Sequence, residues 1–212
     1  MIFAAMSVFL AAISFTSCKK DNKDTPPDNT SLFKNTNWTG EFNYTGKGPE
    51  PVSIEFSDGG QLVWRELLAN HTGSWTVTGD KLAINLDGSP SFTGTISSNS
   101  LTSIQSSDMS GRVLKSAILN KDPIPDLSGT VWGADNVSLK FTSASTLDLI
   151  FGPPANTPTY TGVAYTRDGR AIHFTVAPEY VWFTVITAAS VMKGTNHAPS
   201  DPTVYGFLVT KQ

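Results

Sequence analysis

Residues 73–86 read GSWTVTGDKLAINL. Trp75, Val77, Leu82, Ile84 and Leu86 fall on one side of a two-residue alternation, and Ser74, Thr76, Ala83 and Asn85 fall on the other. A period of two with one apolar and one polar face marks a half-buried β-strand. Thr78-Gly-Asp80 interrupts the alternation, and so short a turn makes the flanking strands antiparallel neighbours. The stretch therefore reads as a β-hairpin with one face in a core and the other in water.

The same texture continues on both sides, with short strands between Gly, Pro, Asn and Asp turns. Before residue 122 the pattern predicts strands at 38–44, 52–56, 62–67, 73–77, 82–86, 92–96, 101–105 and 112–119. After it, strands are expected at 130–133, 138–141, 147–151, 160–165, 171–176, 181–186, 191–193 and 204–209. No helical periodicity of useful length follows the first fifteen residues. Charged residues make up only 16% of the chain, and Ser, Thr, Gly and Asn are abundant, which agrees with an all-β protein.

The two sets of strands repeat one another about ninety residues apart. Thr36-Asn-Trp38 echoes Thr130-Val-Trp132, and Ile54-Glu-Phe56 with Leu62 echoes Leu139-Lys-Phe141 with Leu147. Thr72-Gly73 with Lys81 echoes Thr161-Gly162 with Arg170. Ile96 to Leu101 echoes Ile186 to Val191, and Leu114 to Lys121 echoes Val204 to Lys211. Spacing shifts fall around 46–51 and 152–158, in loops that tolerate insertion. The expected organisation is a signal at 1–17, a tether at 18–31, a first β repeat at 32–121 and a second at 126–212. Prolines near Asp122-Pro-Ile-Pro-Asp126 separate the repeats. Eight strands per repeat favour an antiparallel meander that curls closed, because closure removes exposed edges. Either two closed barrels or two packed curled sheets satisfies this pattern.

Three features carry a resemblance to the lipocalin-like domains of small bacterial lipoproteins. They are the Thr-x-Trp that opens each repeat, Phe-Ser-Asp-Gly-Gly at 56–60 and Gly-x-Trp-x-Val at 73–77. The resemblance implies a small β-barrel with a ligand-binding or interaction role, and it carries over no catalytic residue.

Residues 1–15, MIFAAMSVFLAAISF, are apolar and uncharged, and Thr16-Ser17-Cys18-Lys-Lys-Asp follows. The run is too short to span a bilayer and fits the apolar part of a secretory signal. Small residues before Cys18 match a bacterial lipobox, in which that cysteine is lipidated and becomes the mature N-terminus. The segment resembles the lipoprotein signals of Bacteroidota, with Phe15 where leucine is usual. The resemblance implies a protein lipid-anchored to the outer membrane within the cell envelope. The alternative is an ordinary secretory signal cleaved nearby, which leaves Cys18 as an incidental thiol. Residues 19–30, KKDNKDTPPDNT, read as a flexible tether. With one cysteine there is no internal disulfide.

A net charge of -3 leaves no nucleic-acid footprint. His71 and His197 fall in expected turns and His173 on a strand, and none has a partner at metal-ligand spacing. No nucleophile elbow, phosphate loop or calcium loop is present. Glu55, Glu66, Asp148 and Glu179 lie on or beside strands, where solvated positions next to Lys and Arg are the simpler reading than a glycosidase-type pair. No catalytic residue, cofactor or metal site is expected.

The aromatic residues offer more. Trp38 and Trp132 occupy equivalent places, which suits a structural role closing the bottom of each repeat, and Trp75 belongs to the core. Trp64 and Trp182 are unrepeated, and Tyr160, Tyr165 and Tyr180 fall near Trp182 in strand order. These five are the candidate ligand-binding residues, with buried packing as their alternative. Phe56, Leu62, Trp75, Leu82 and Ile84 should fill the first barrel, so a cleft between repeats or the loops at one rim is the expected site. The sequence thus predicts a non-enzymatic, membrane-anchored binding lipoprotein for a glycan or small apolar ligand. The alternative is a protein-interaction module, either an inhibitor or an accessory subunit of an outer-membrane complex.

Overall fold

The computed structural model describes residues 28–43, 49–88, 91–107, 113–152, 159–176 and 179–212. Cys18 and the segments expected to be a signal and a tether lie, up to residue 27, outside the described residues. The protein is all-β and folds as two closed antiparallel barrels of eight strands each. The alternative of curled open sheets is thereby excluded. No helix among the described residues is long and apolar enough to cross a membrane.

The first barrel is a meander of β1 (Thr36–Asn43), β2 (Pro49–Phe56), β3 (Gln61–Arg65), β4 (Asn70–Thr78), β5 (Lys81–Leu86), β6 (Ser91–Ser97), β7 (Ser100–Ser106) and β8 (Val113–Asn120). It closes where Trp38 on β1 lies opposite Leu119 on β8. The second repeats the plan with β9 (Val131–Gly133), β10 (Val137–Phe141), β11 (Thr146–Phe151), β12 (Tyr160–Asp168), β13 (Ala171–Val176), β14 (Tyr180–Ala188), β15 (Val191–Ala198) and β16 (Asp201–Lys211). Here closure joins β16 to the three-residue β9.

The alternation seen in residues 73–86 produces the hairpin β4–β5, in which Trp75 faces Ile84 and Val77 faces Leu82 across the ladder. Phe56, Leu62, Trp75, Leu82 and Ile84 join one buried cluster, as the pattern requires. The second barrel has its own cluster around Trp132, Leu139, Phe141, Leu149 and Ile172.

The repeated Thr-x-Trp acts as a closing device at the end where each barrel begins. Trp38 Nε1 donates to Thr36 Oγ1 at 3.2 Å, and Thr36 Oγ1 donates to the Phe33 carbonyl at 2.9 Å. Trp132 Nε1 donates to Thr130 Oγ1 at 2.9 Å, and Thr130 Oγ1 donates to the Leu127 carbonyl at 2.5 Å. Both indoles are fully buried, and Phe33 and Leu127 are sealed beside them. Each polar atom taken from water has thus regained a partner, so the tryptophan buries its large apolar area without an orphaned donor.

The barrels touch through the outer faces of β1 and β2 against β14 and β15. Leu67, Ala171, Phe183 and Val185 form a small third core there. Arg65, nearly buried, places Nε 2.6 Å from Asp168 and Nη2 3.0 Å from Glu55. Lys193 meets Glu41 at 2.5 Å, and Asn120 Nδ2 donates to the Thr187 carbonyl at 2.8 Å. The linker is pinned to the second barrel: buried Arg170 donates to the carbonyls of Asp122 and Ile186, and Arg167 donates to that of Pro125.

Candidate binding site

Strand register fixes which positions of the two barrels correspond. Trp38, Ile54, Trp64 and His71 form one row across β1 to β4. Trp132, Leu139, Leu149 and Tyr160 form the matching row across β9 to β12. Farther round, Trp75, Ile84 and Phe92 correspond to Tyr165, Phe174 and Trp182. A tryptophan on β3 of the first barrel is therefore a leucine in the second, and a phenylalanine on β6 becomes a tryptophan on β14.

This exchange explains Trp64. It is fully buried, stacks on Phe92 at 5.2 Å and donates its Nε1 to Glu66 Oε2 at 2.9 Å. The structure places it inside the first barrel, away from the other four candidates and from any surface. Glu66 is also buried, and its Oε1 lies 3.4 Å from His71 Nε2. The expectation of a solvated Glu66 is corrected, because a residue two places beyond Trp64 shares its inward parity. His71 and His197, expected in turns, lie on β4 and β15. Of the other carboxylates, Glu55 pairs with Arg65, and Asp148 accepts the Gly162 N–H at 2.9 Å.

Tyr165 repeats the part that Trp75 plays. Trp75 Nε1 donates to the carbonyls of Ser57 and Gln61, and Tyr165 Oη donates to the Ser143 carbonyl at 3.2 Å. Both rings stand edge-on to an equivalent phenylalanine, Phe56 at 5.8 Å and Phe141 at 5.2 Å. Burial raises the Tyr165 phenol above its ordinary range.

Tyr160, Tyr180 and Trp182 come together at the opposite end of the second barrel from the Trp132 closure. Trp182 is the floor, only 3% exposed, with Phe174 stacked on it at 5.5 Å, Phe207 at 5.1 Å and Phe151 at 5.8 Å. Phe151 reaches Tyr160 at 6.3 Å. Tyr180 and Tyr205 share the inward parity of Trp182 and Phe207 on their strands, so they stand at the rim. Phe151, Tyr180 and Tyr205 remain 40%, 41% and 51% exposed. Sequence reasoning missed Phe151, Phe174, Tyr205 and Phe207. Their shared parity with Trp182 was visible, but the closure that brings their strands to one rim was not.

Beside this mouth a cavity of about 540 Å³ runs along the seam of β12 and β13, with Tyr160, Val163, Tyr165, Phe174 and Val176 on its walls. It exists because β12 joins β13 only over 165–168 and 171–174. Nearer the rim, β12 bulges at Gly162, whose φ of +62° suits a residue without a side chain. His173 lies at the outer side of the seam, its ring 4.7 Å from Phe183. Burial lowers its pKa, with Asp168 opposing the shift and Arg65 adding to it. A second cavity of about 440 Å³ lies in the angle between the barrels, lined by Glu41, Asn99, Ser116, Lys121, Asp122 and Lys193. Its mixed charges are largely paired with one another or with backbone.

The mouth can hold a ring face by stacking and apolar contact, and its lining rings carry no charge. At the rim, Tyr205 Oη donates to Asp201 at 3.1 Å. Bonds from the Thr203 backbone and side chain hold that carboxylate below its ordinary range. Among the described residues no three His, Asp or Glu side chains gather as metal ligands. No family model matches the chain, and no curated protein or solved structure shows significant similarity to it.

Proposed function

We propose that this chain is a non-enzymatic binding lipoprotein whose second barrel takes a glycan unit or a small apolar ligand at its aromatic mouth. The reading rests chiefly on one observation: rings from β11, β12, β13, β14 and β16 converge on a rim where three of them stay exposed. Exposed aromatic faces above a closed floor favour a ligand that lies on the mouth with its ring flat, and apolar area supplies the driving force. Lipidation at Cys18 would display the barrels at the outer membrane, with a tether long enough to let the mouth find its ligand.

The test is a fluorescence titration of the mature protein with cellotriose and, separately, acetophenone. Saturable binding of either, weakened at least tenfold in Tyr180→Ala or Tyr205→Ala, supports the reading. Turnover of a glycan or ester that is abolished by substituting one strand carboxylate would overturn it. Mass spectrometry of the mature protein checks the anchor, which requires a lipid on an N-terminal Cys18.

A further inference from the structure

The chain has five tryptophans, and four of their indole N–H groups have protein acceptors: Thr36, Glu66, the Ser57 and Gln61 carbonyls, and Thr130. Trp182 is the exception, since its Nε1 is buried and finds no acceptor among the described residues. The first barrel shows what is missing. Register places Phe151 where the first barrel has Glu66, the carboxylate that receives the Trp64 indole. The acid has given way to a phenyl ring, and the indole has moved from β3 to β14. Nine buried side-chain polar atoms among the described residues lack a partner, and the Trp182 indole is the one tryptophan donor among them. A buried unpaired donor is a cost that needs a reason.

A second irregularity sits beside it. Phe207 on β16 lies opposite Gly194 on β15, and its ring tip rests against the Gly194 backbone. A Cβ on Gly194 would overlap the Phe207 ring at three of its atoms. Gly194 has no left-handed φ to explain it, so its lack of a side chain serves this close approach. With the ring laid along the wall, Phe207 reaches Trp182 instead of standing in the mouth.

We infer that Trp182 is the polar anchor of the mouth, donating its indole N–H to an oxygen acceptor on a ring-faced ligand, and that Gly194 keeps the site open by letting Phe207 lie flat. This rests on the proposed binding role and names the chemistry that role requires. The shared ligand feature is an uncharged ring with an acceptor oxygen at its edge, which a sugar or an aryl ketone supplies.

The experiment follows the indole resonances in a nitrogen–proton correlation spectrum of the full-length mature protein titrated with cellotriose or acetophenone. The Trp182 signal is expected to move downfield on saturation while the other four indoles stay in place. Gly194→Ala should weaken binding at least tenfold, and Gly206→Ala, at an open position, should not. If Gly194→Ala fails to fold, the double variant Gly194→Ala/Phe207→Ala relieves the overlap and should recover the fold, and the Trp182 signal of the unaltered protein then decides the inference. Saturable binding with an unmoved Trp182 signal, or equal affinity in Gly194→Ala, overturns this inference and leaves the binding role standing. No binding of either probe overturns both.

Discussion

The two barrels share a floor plan and differ at their open ends. In the first, the row beyond Trp64 is polar: Glu66 takes the indole, His71 lies beside it, and buried Glu50 stands on the inward parity of Val52 and Ile54. In the second, the matching places hold Phe151 and Tyr160, and the tryptophan has moved across the barrel. A duplicated fold thus keeps one end for stability and lets the other diverge. The end that is repeated closes the barrel, and the end that is not repeated carries the proposed site.

The largest expected effect tests the shared end. Trp38→Ala and Trp132→Ala each remove a fully buried indole and should cost about 3–5 kcal/mol by denaturant unfolding. Similar losses would confirm one closing device used twice, and a near-neutral result at either position would break the equivalence. Next come the glycines at the closing strands. A Cβ on Gly40 would collide with the Ser116 carbonyl, whereas one on Gly133 meets the Ser138 hydroxyl, a movable side chain, at 2.8 Å. Gly40→Ala should therefore destabilise by about 1–3 kcal/mol, and Gly133→Ala by clearly less.

A smaller effect concerns the junction. Asp168→Asn removes one carboxylate from nearly buried Arg65 but leaves Glu55 in place, and both carboxylates are partly in solvent. A loss of about 1 kcal/mol is expected, and it should shrink in high salt. The smallest effect is pH-dependent. Burial depresses the His173 pKa in the folded state, so below the ordinary histidine value the unfolded chain binds a proton that the folded one refuses. Stability from this group should fall as pH drops below about 6.5 and be constant above it. His173→Gln should flatten that slope, and an unchanged slope would remove His173 from the account.

Much of this architecture was legible in the chain. Alternation in residues 73–86 and the repeated Thr-x-Trp carried enough local information to define strands, parity and duplication, because a period of two encodes which face is buried. The site was legible only in part. Trp182 stood out as unrepeated, and Tyr160 and Tyr180 by falling near it in strand order, but non-repetition also selected Trp64, whose difference from the second repeat is an exchange of core volume between two strands. Phe151, Phe174, Tyr205 and Phe207 come from strands far apart in sequence, and only barrel closure brings their ends to one rim. The Gly194 recess was invisible for the same reason, since its occupant is thirteen residues away on the next strand.

The central claim is that binding belongs to the unrepeated mouth of the second barrel. Backbone and indole chemical shifts of the intact protein, mapped across both barrels during a titration with cellotriose or acetophenone, test it most directly. The account predicts changes centred on Tyr160, Phe174, Tyr180, Trp182 and Phe207, with Phe42, Trp64 and Phe92 unmoved. Changes centred on the first barrel, or in the cavity between the barrels, would contradict it.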